Sequence, residues 1–179
     1  MKQFLYIIFP LLVLASCKSP EARRRISAKS GSFIDQSVER NIQLKEREEN
    51  MFKDLMEADT TQNFTASENG FWYSFKNRVS DTLIKPEFGD TVIFDYNVKR
   101  STGEIIYTKS DLKTQQYVMD KQELFSGLRE GLKLMRAGES ATFLFPSQKA
   151  YGYYGDENKI GTNVPIICEV TVHSINPNK

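Results

Sequence analysis

Cysteine is nearly missing from this chain: Cys17 and Cys168 are the only two in 179 residues. That excludes a disulfide-stapled scaffold. Histidine is scarcer, with His173 alone, and a single histidine without a Cys/His cluster argues against a transition-metal centre. No charge of one sign dominates. The net charge is +1, so the whole chain has no electrostatic case for nucleic acid. No run reaches the ~20 apolar residues that a membrane span needs. A Gly-rich phosphate loop, a Ser/His/Asp set and a paired-carboxylate motif with telling spacing are all absent.

What is present begins at the start of the chain. Lys2 precedes an apolar run, Phe4 to Leu14, broken only by Pro10. Its shape is that of a secretory signal. The string Leu14-Ala15-Ser16-Cys17 resembles a bacterial lipobox, in which the cysteine is lipidated and becomes the first mature residue. The plainer alternative is an ordinary signal with a chance cysteine. Acyl chains contribute roughly 0.8 kcal/mol per buried CH2, so several of them anchor a protein in the bilayer where one would not. Residues 1–16 then form the signal peptide and 17–31 a tether. Arg23-Arg24-Arg25 in that tether serve either anionic headgroups or a partner, or are simply solvated. No aspartate follows Cys17, and no acidic run does either, so the expected address is the outer membrane, facing the periplasm. With Cys17 lipidated, Cys168 has no partner. It sits in the apolar stretch Val164 to Val172 and reads as a small buried hydrophobe. His173 lies at odd separation on the same strand and so on the opposite face.

Residues 32–58 hold no Gly or Pro, and Ile34, Val38 and Ile42 recur every fourth residue. Met51, Phe52, Leu55 and Met56 continue the stripe after a charged middle. The period predicts an amphipathic helix, capped by Ser30 or Ser32. It either packs on its own domain, spaces the domain from the membrane, or pairs weakly with a second copy. The thin stripe through Glu46–Glu49 favours the last two. Residues 59–69 form a polar connector.

From Gly70 the period becomes two. Phe71, Tyr73 and Phe75 alternate, as do Val92, Phe94, Tyr96 and Val98, and later Ala141, Phe143 and Phe145. Ser101-Thr102-Gly103 is a hairpin turn. One short helix carries Leu128, Leu132 and Met135, with Ser126 as cap and Gly138 as stop. A loop covers Ser147 to Asn163, and the last strand Val164 to Ile175. This is an α+β arrangement, an antiparallel sheet with one face covered by the helix.

Two segments stand out: Leu124-Phe125-Ser126-Gly127-Leu128-Arg129-Glu130-Gly131 into the helix, and Ala150-Tyr151-Gly152 in the loop. With the Gly89-Asp90 turn and the strand carrying Tyr96, their order and spacing over residues 88–175 resemble the FKBP-type peptidyl-prolyl isomerases. An extension holding Glu21-Ala22-Arg23-Arg24 and Asn69-Gly70-Phe71-Trp72-Tyr73, behind a lipobox, resembles the gliding-motility-associated FKBP-type lipoproteins of Bacteroidetes.

The resemblance implies an FKBP-like half-barrel sheet wrapped on one short helix, over residues 70–179, behind the helical extension. It implies a catalyst for Xaa-Pro segments of exported proteins that uses no cofactor and no metal. Tyr96 and Tyr151 fall on the family's pocket tyrosines, the catalytic positions. Substrate-binding positions fall on Ile106, Tyr107, Leu124, Phe125, Leu128, Ile160 and Cys168. The chemistry fits such a set. Rotating an Xaa-Pro amide requires no nucleophile, only a dry site that favours the twisted amide over a barrier of about 18–20 kcal/mol. Tyr107 replaces a usual acid, Leu128 a common tryptophan, Ile106 an aromatic, and Gly161-Thr162 a frequent Pro-Pro. These departures bear on turnover more than on fold and imply poor binding of the macrolide inhibitors typical of the family. They also leave open a weakly active FKBP-fold binding module.

Overall fold

The computed structural model describes residues 30–178. Cys17, the signal segment and the arginine cluster lie outside the described residues. The chain divides into two compact units, Met1–Glu39 and Arg40–Lys179. Helix α1, Ser30–Ala58, contributes residues to both. Ser32, a candidate cap, therefore lies inside the helix. In the first unit Phe33, Ile34 and Val38 are exposed. In the second, Ile42 is exposed as well, but from Glu48 on the helix changes character. Glu48 and Phe52 are buried, and the Phe52 ring lies 5.8 Å from that of Trp72. Among the described residues no helix is long and apolar enough to cross a membrane.

The rest of the second unit is one antiparallel sheet and its covers. In chain order it holds β1 (Thr65–Ala66), β2 (Trp72–Asn77), β3 (Thr91–Arg100), β4 (Ile105–Tyr107) and a four-residue helix α2 (Lys109–Leu112). Then come β5 (Gln115–Val118), α3 (Ser126–Leu132), β6 (Ser140–Phe145), a 3-10 turn (Ser147–Lys149) and β7 (Ile166–Asn176). The strands lie in the order β1-β2-β6-β7-β3-β4, with β5 also paired to β3. This is the α+β class expected from the sequence. β7 starts after Pro165, which has no N–H to give a ladder.

Period-two patterning survives folding in β3, where Val92, Phe94, Tyr96 and Val98 are buried and their neighbours are not. The long β3–β7 ladder sets Tyr96 opposite Val170 and Val98 opposite Cys168. β6 departs from the pattern: every residue from Ala141 to Phe145 is buried. Phe143 and Phe145 belong to the main core, but Leu144 does not. Leu144 pairs with Trp72, the residue against which Phe52 of α1 rests. At β2 and β6 the sheet is thus covered on both faces, where one cover was expected.

Helix α3 packs on the sheet through Leu128 and Leu132. Gly127 and Gly131, one turn apart, let its backbone approach the stacked rings of Phe143 and Phe145, whose centroids are 5.4 Å apart. The expected cap and stop are both displaced. Phe125, not Ser126, is the N-cap, and the Ser126 hydroxyl donates instead to the Lys149 carbonyl at 3.4 Å. The helix ends at Leu132 because the chain tightens into successive turns that send Met135 fully into the core. Gly138 takes its positive φ of 85° in the later turn into β6.

On the other face, Glu169 of β7 accepts from Lys76 Nζ at 2.6 Å, Asn97 Nδ2 at 2.8 Å and Lys99 Nζ at 3.0 Å. Desolvation alone would raise its carboxyl, but these three bonds outweigh it and pull it from 4.5 to about 2. A carboxyl lowered in the folded state stabilises the fold above its unfolded value and loses that contribution as pH falls toward the folded one. Through this residue the protein should lose stability between pH 4.5 and about 2. In urea titrations Glu169→Gln should flatten that part of the acid limb. An unchanged limb would mean that other carboxylates set it.

Candidate active site

The apolar face of β3 presents Tyr96 to the gap between sheet and α3. Around it the fold gathers Ile106 from β4, Leu128 from α3, Ile160 from the loop and Cys168 from β7, all buried in one cluster. Tyr107, Leu124, Phe125 and Tyr151 pack against that cluster half-buried. All nine positions expected from the sequence therefore lie in or against one core cluster. Residues from five separate segments do so because β3, β4 and β7 are laddered neighbours while α3 and the loop lie over one face.

Two hydroxyls face this apolar surround. Burial pushes the Tyr96 phenol up to about 12, and an interaction with the Tyr151 hydroxyl offsets part of it. Burial also pushes Tyr151 well up, helped by Tyr96, Cys168, Asp156 and Tyr107 around it. Both stay protonated, and therefore able to donate, at any ordinary pH. The Tyr151 ring lies 5.1 Å from that of Phe125, which in turn meets Phe145 edge-on at 5.5 Å. Burial alone pushes the Cys168 thiol far up, which removes it as a nucleophile. Among the described residues no group of three or more His, Cys, Asp or Glu side chains could hold a metal ion.

Asp156 is the residue that sequence reasoning missed. The Tyr107 hydroxyl donates to its Oδ2, while its Oδ1 accepts from Ile160 N at 2.7 Å and Asn158 N at 3.0 Å. Partial desolvation would raise this carboxyl, and those donors hold it below its ordinary value. Lys159 adds a second tie, with Nζ 3.3 Å from the Ile106 carbonyl and 4.8 Å from the centre of the Tyr107 ring. The acid absent at Tyr107 is thus supplied from across the site. The local signal for it was an Asx-type turn, Asp156-Glu157-Asn158, directly after Gly155. Tyr153 and Tyr154, on the same loop, stand exposed with their rings edge to face at 5.4 Å.

Elsewhere, a cavity of about 490 Å3 opens on the other face of the sheet, among Asp95, Asn97, Glu169, Thr171 and His173. It takes in polar side chains that alternate with the core-facing ones.

Residues 83–173 match the family model described as FKBP-type peptidyl-prolyl cis-trans isomerase. The chain belongs to that family. No curated relative matches it by sequence. Among solved structures it is similar to a peptidyl-prolyl cis-trans isomerase from Pseudomonas syringae pv. tomato. That likeness has a TM-score of 0.62 at 18% identity, over 75% of this chain and 94% of the other. It is also similar to FkpA from Escherichia coli, with a TM-score of 0.62 at 17% identity, over 98% of this chain and 82% of the other. At such identities the likeness establishes the FKBP-like fold, α1 included in the second alignment, and not the clients.

In this FKBP-type domain the nine candidate positions lie in or against the core that the sheet and α3 enclose. The motif glycines of α3 have a local physical cause in Phe143 and Phe145. Leu128 is fully buried, and Ile106, beside Tyr107 in β4, is buried as well.

Proposed function

We propose that this FKBP-type isomerase is a lipoprotein, anchored through Cys17 to the outer membrane and facing the periplasm. There it turns over Xaa-Pro segments of exported proteins, gliding-motility components among them. What carries the isomerase reading is the pair Tyr96 and Tyr151, two neutral hydroxyls against a largely apolar surround. The proline ring seats over Leu128, between Ile106 and Ile160. The amide loses conjugation there more readily than in water, because its dipole is less well solvated. The Tyr151 hydroxyl donates to a substrate carbonyl and holds the bound peptide in one orientation. Nothing in this sequence of events transfers a proton or forms a bond. The reaction is otherwise slow enough to limit folding.

The anchor reading is carried by Leu14-Ala15-Ser16-Cys17 and supported by the tether behind it. The exposed stripe Ile34, Val38 and Ile42 supports a helical arm that spaces the domain from the bilayer or pairs weakly with a second copy.

The test uses the full chain in detergent and a short Xaa-Pro peptide. Wild type should accelerate cis-to-trans isomerisation, and Tyr151→Phe should lower kcat/KM by about tenfold. A Cys17→Ser variant should leave the membrane fraction, and mass spectrometry of the wild type should find acyl chains on Cys17. No acceleration by a folded protein with any residue before proline would leave the second reading: an FKBP-fold module that binds proline segments and turns over little. The aliphatic floor and wall, Leu128 and Ile106, favour that alternative.

A further inference from the structure

The buried carboxylate of Glu48 has no part in the pocket, yet it is bonded to the chain that carries it. Glu48 is 4% exposed. Its Oε2 accepts the Ser147 N–H at 2.8 Å, and its Oε1 is buried with no hydrogen-bond partner. Desolvating a carboxylate for a single bond costs stability, and an apolar side chain of the same size would pack at lower cost. What that one bond holds is therefore informative.

Ser147 begins the 3-10 turn after β6. Its carbonyl accepts two further N–H groups, from Ala150 at 3.0 Å and from Gly152 at 2.8 Å. Those two residues flank Tyr151. Gly152 then accepts from Asn163 N at 2.8 Å, which ties the far end of the loop to the same point. Ser147 thus holds both sides of Tyr151 through its carbonyl, and Glu48 holds the same residue through its N–H, which belongs to the preceding peptide unit. Phe52, one turn on in α1, fixes the helix by its packing on Trp72.

We propose that Glu48 is a positioning residue: the helical extension sets the Tyr151 hydroxyl through the backbone of Ser147, held at its N–H and holding through its carbonyl. This rests on the reading of Tyr151 as the pocket donor. A charge-assisted bond is stiffer than a neutral one, and a buried N–H left without a partner lets the turn drift. Small displacements of an orienting group lower turnover without weakening binding.

The experiment uses the full chain in detergent. Glu48→Ala should lower kcat by about fivefold with KM nearly unchanged. Glu48→Gln keeps an acceptor and should restore most of that loss. In a Tyr151→Phe background Glu48→Ala should cost less than about twofold, because both changes act through one hydroxyl. Amide exchange at Ala150 and Gly152 should speed up in Glu48→Ala and recover in Glu48→Gln. If Glu48→Ala does not fold, Glu48→Met keeps the length and buried stem without the acceptor and answers the same questions. A full additive loss in the Tyr151→Phe background, or unchanged exchange at Ala150 and Gly152, would overturn the proposal. A wild type without turnover would sink the isomerase reading alone, and the exchange measurement would still decide the role of Glu48.

Discussion

Gly127→Ala should destabilise the protein by about 3 kcal/mol or more, the upper end of what overpacking costs. A methyl group at this position would stand 2.5 Å from Phe145 Cδ1 and 2.7 Å from the Lys149 carbonyl oxygen. The ring cannot retreat, because it is stacked on Phe143 and flanked by Phe71 and Phe125. The carbonyl cannot retreat either, because it belongs to the turn that Ser147 closes. Helix α3 would have to lift off the sheet and expose Leu128 and Leu132. Urea unfolding followed by circular dichroism should show a lowered midpoint. Gly131→Ala supplies the scale: its nearest contact, Phe143 Cε1 at 3.0 Å, is one ring edge and no backbone, so its loss should be smaller. Equal stability of Gly127→Ala and wild type would mean that α3 does not seat as described.

Gly155→Ala should instead spare global stability and lower turnover by about 100-fold, the scale of a misplaced catalytic segment. Gly155 has φ of 70°, and an added Cβ would overlap the Ile160 carbonyl oxygen. That oxygen accepts Asp156 N at 3.0 Å and closes the loop across its base. Opening the base would release Asp156 from the Ile160 N–H and then from the Tyr107 hydroxyl. The pocket would lose Ile160 from its wall while the sheet stayed intact. Peptide isomerisation rates and a thermal melt on the same sample separate the two effects. A melt that falls as far as that of Gly127→Ala would show the loop to be part of the main cooperative unit.

These two glycines show how legible the chain was. Gly127 was readable as motif, because α3 is short and its spacing repeats, but its cause lay in Phe145, 18 residues further along the chain. β3 was readable outright, since one of its faces is core and the other is not. β6 was readable as a strand from Ala141, Phe143 and Phe145, but the burial of its second face was not, because α1 returns from far along the chain to cover it. Helix α2 escaped notice because four residues carry no apolar period. Its only signature is the capping box of Thr108 and Asp111. The nine candidate positions could be named from motif order, and the structure places all of them in or against the core cluster. Asp156 and Glu48 could not be named, because a charged residue in a polar stretch reads as solvated until the tertiary fold brings a donor to it. For Glu48 that donor is 99 residues away.

Cys168 of β7 has no exposure at all and lies between Val98 and Phe143 of the neighbouring strands. A folding assistant that met clients with unpaired thiols would run a particular hazard, capture by disulfide exchange. Exchange requires a thiolate and an approach path. The native sheet withholds both, so oxidants and client disulfides reach this sulfur only through molecules that have already opened. The core can therefore hold a free sulfur and remain indifferent to the redox state of whatever the folded protein meets.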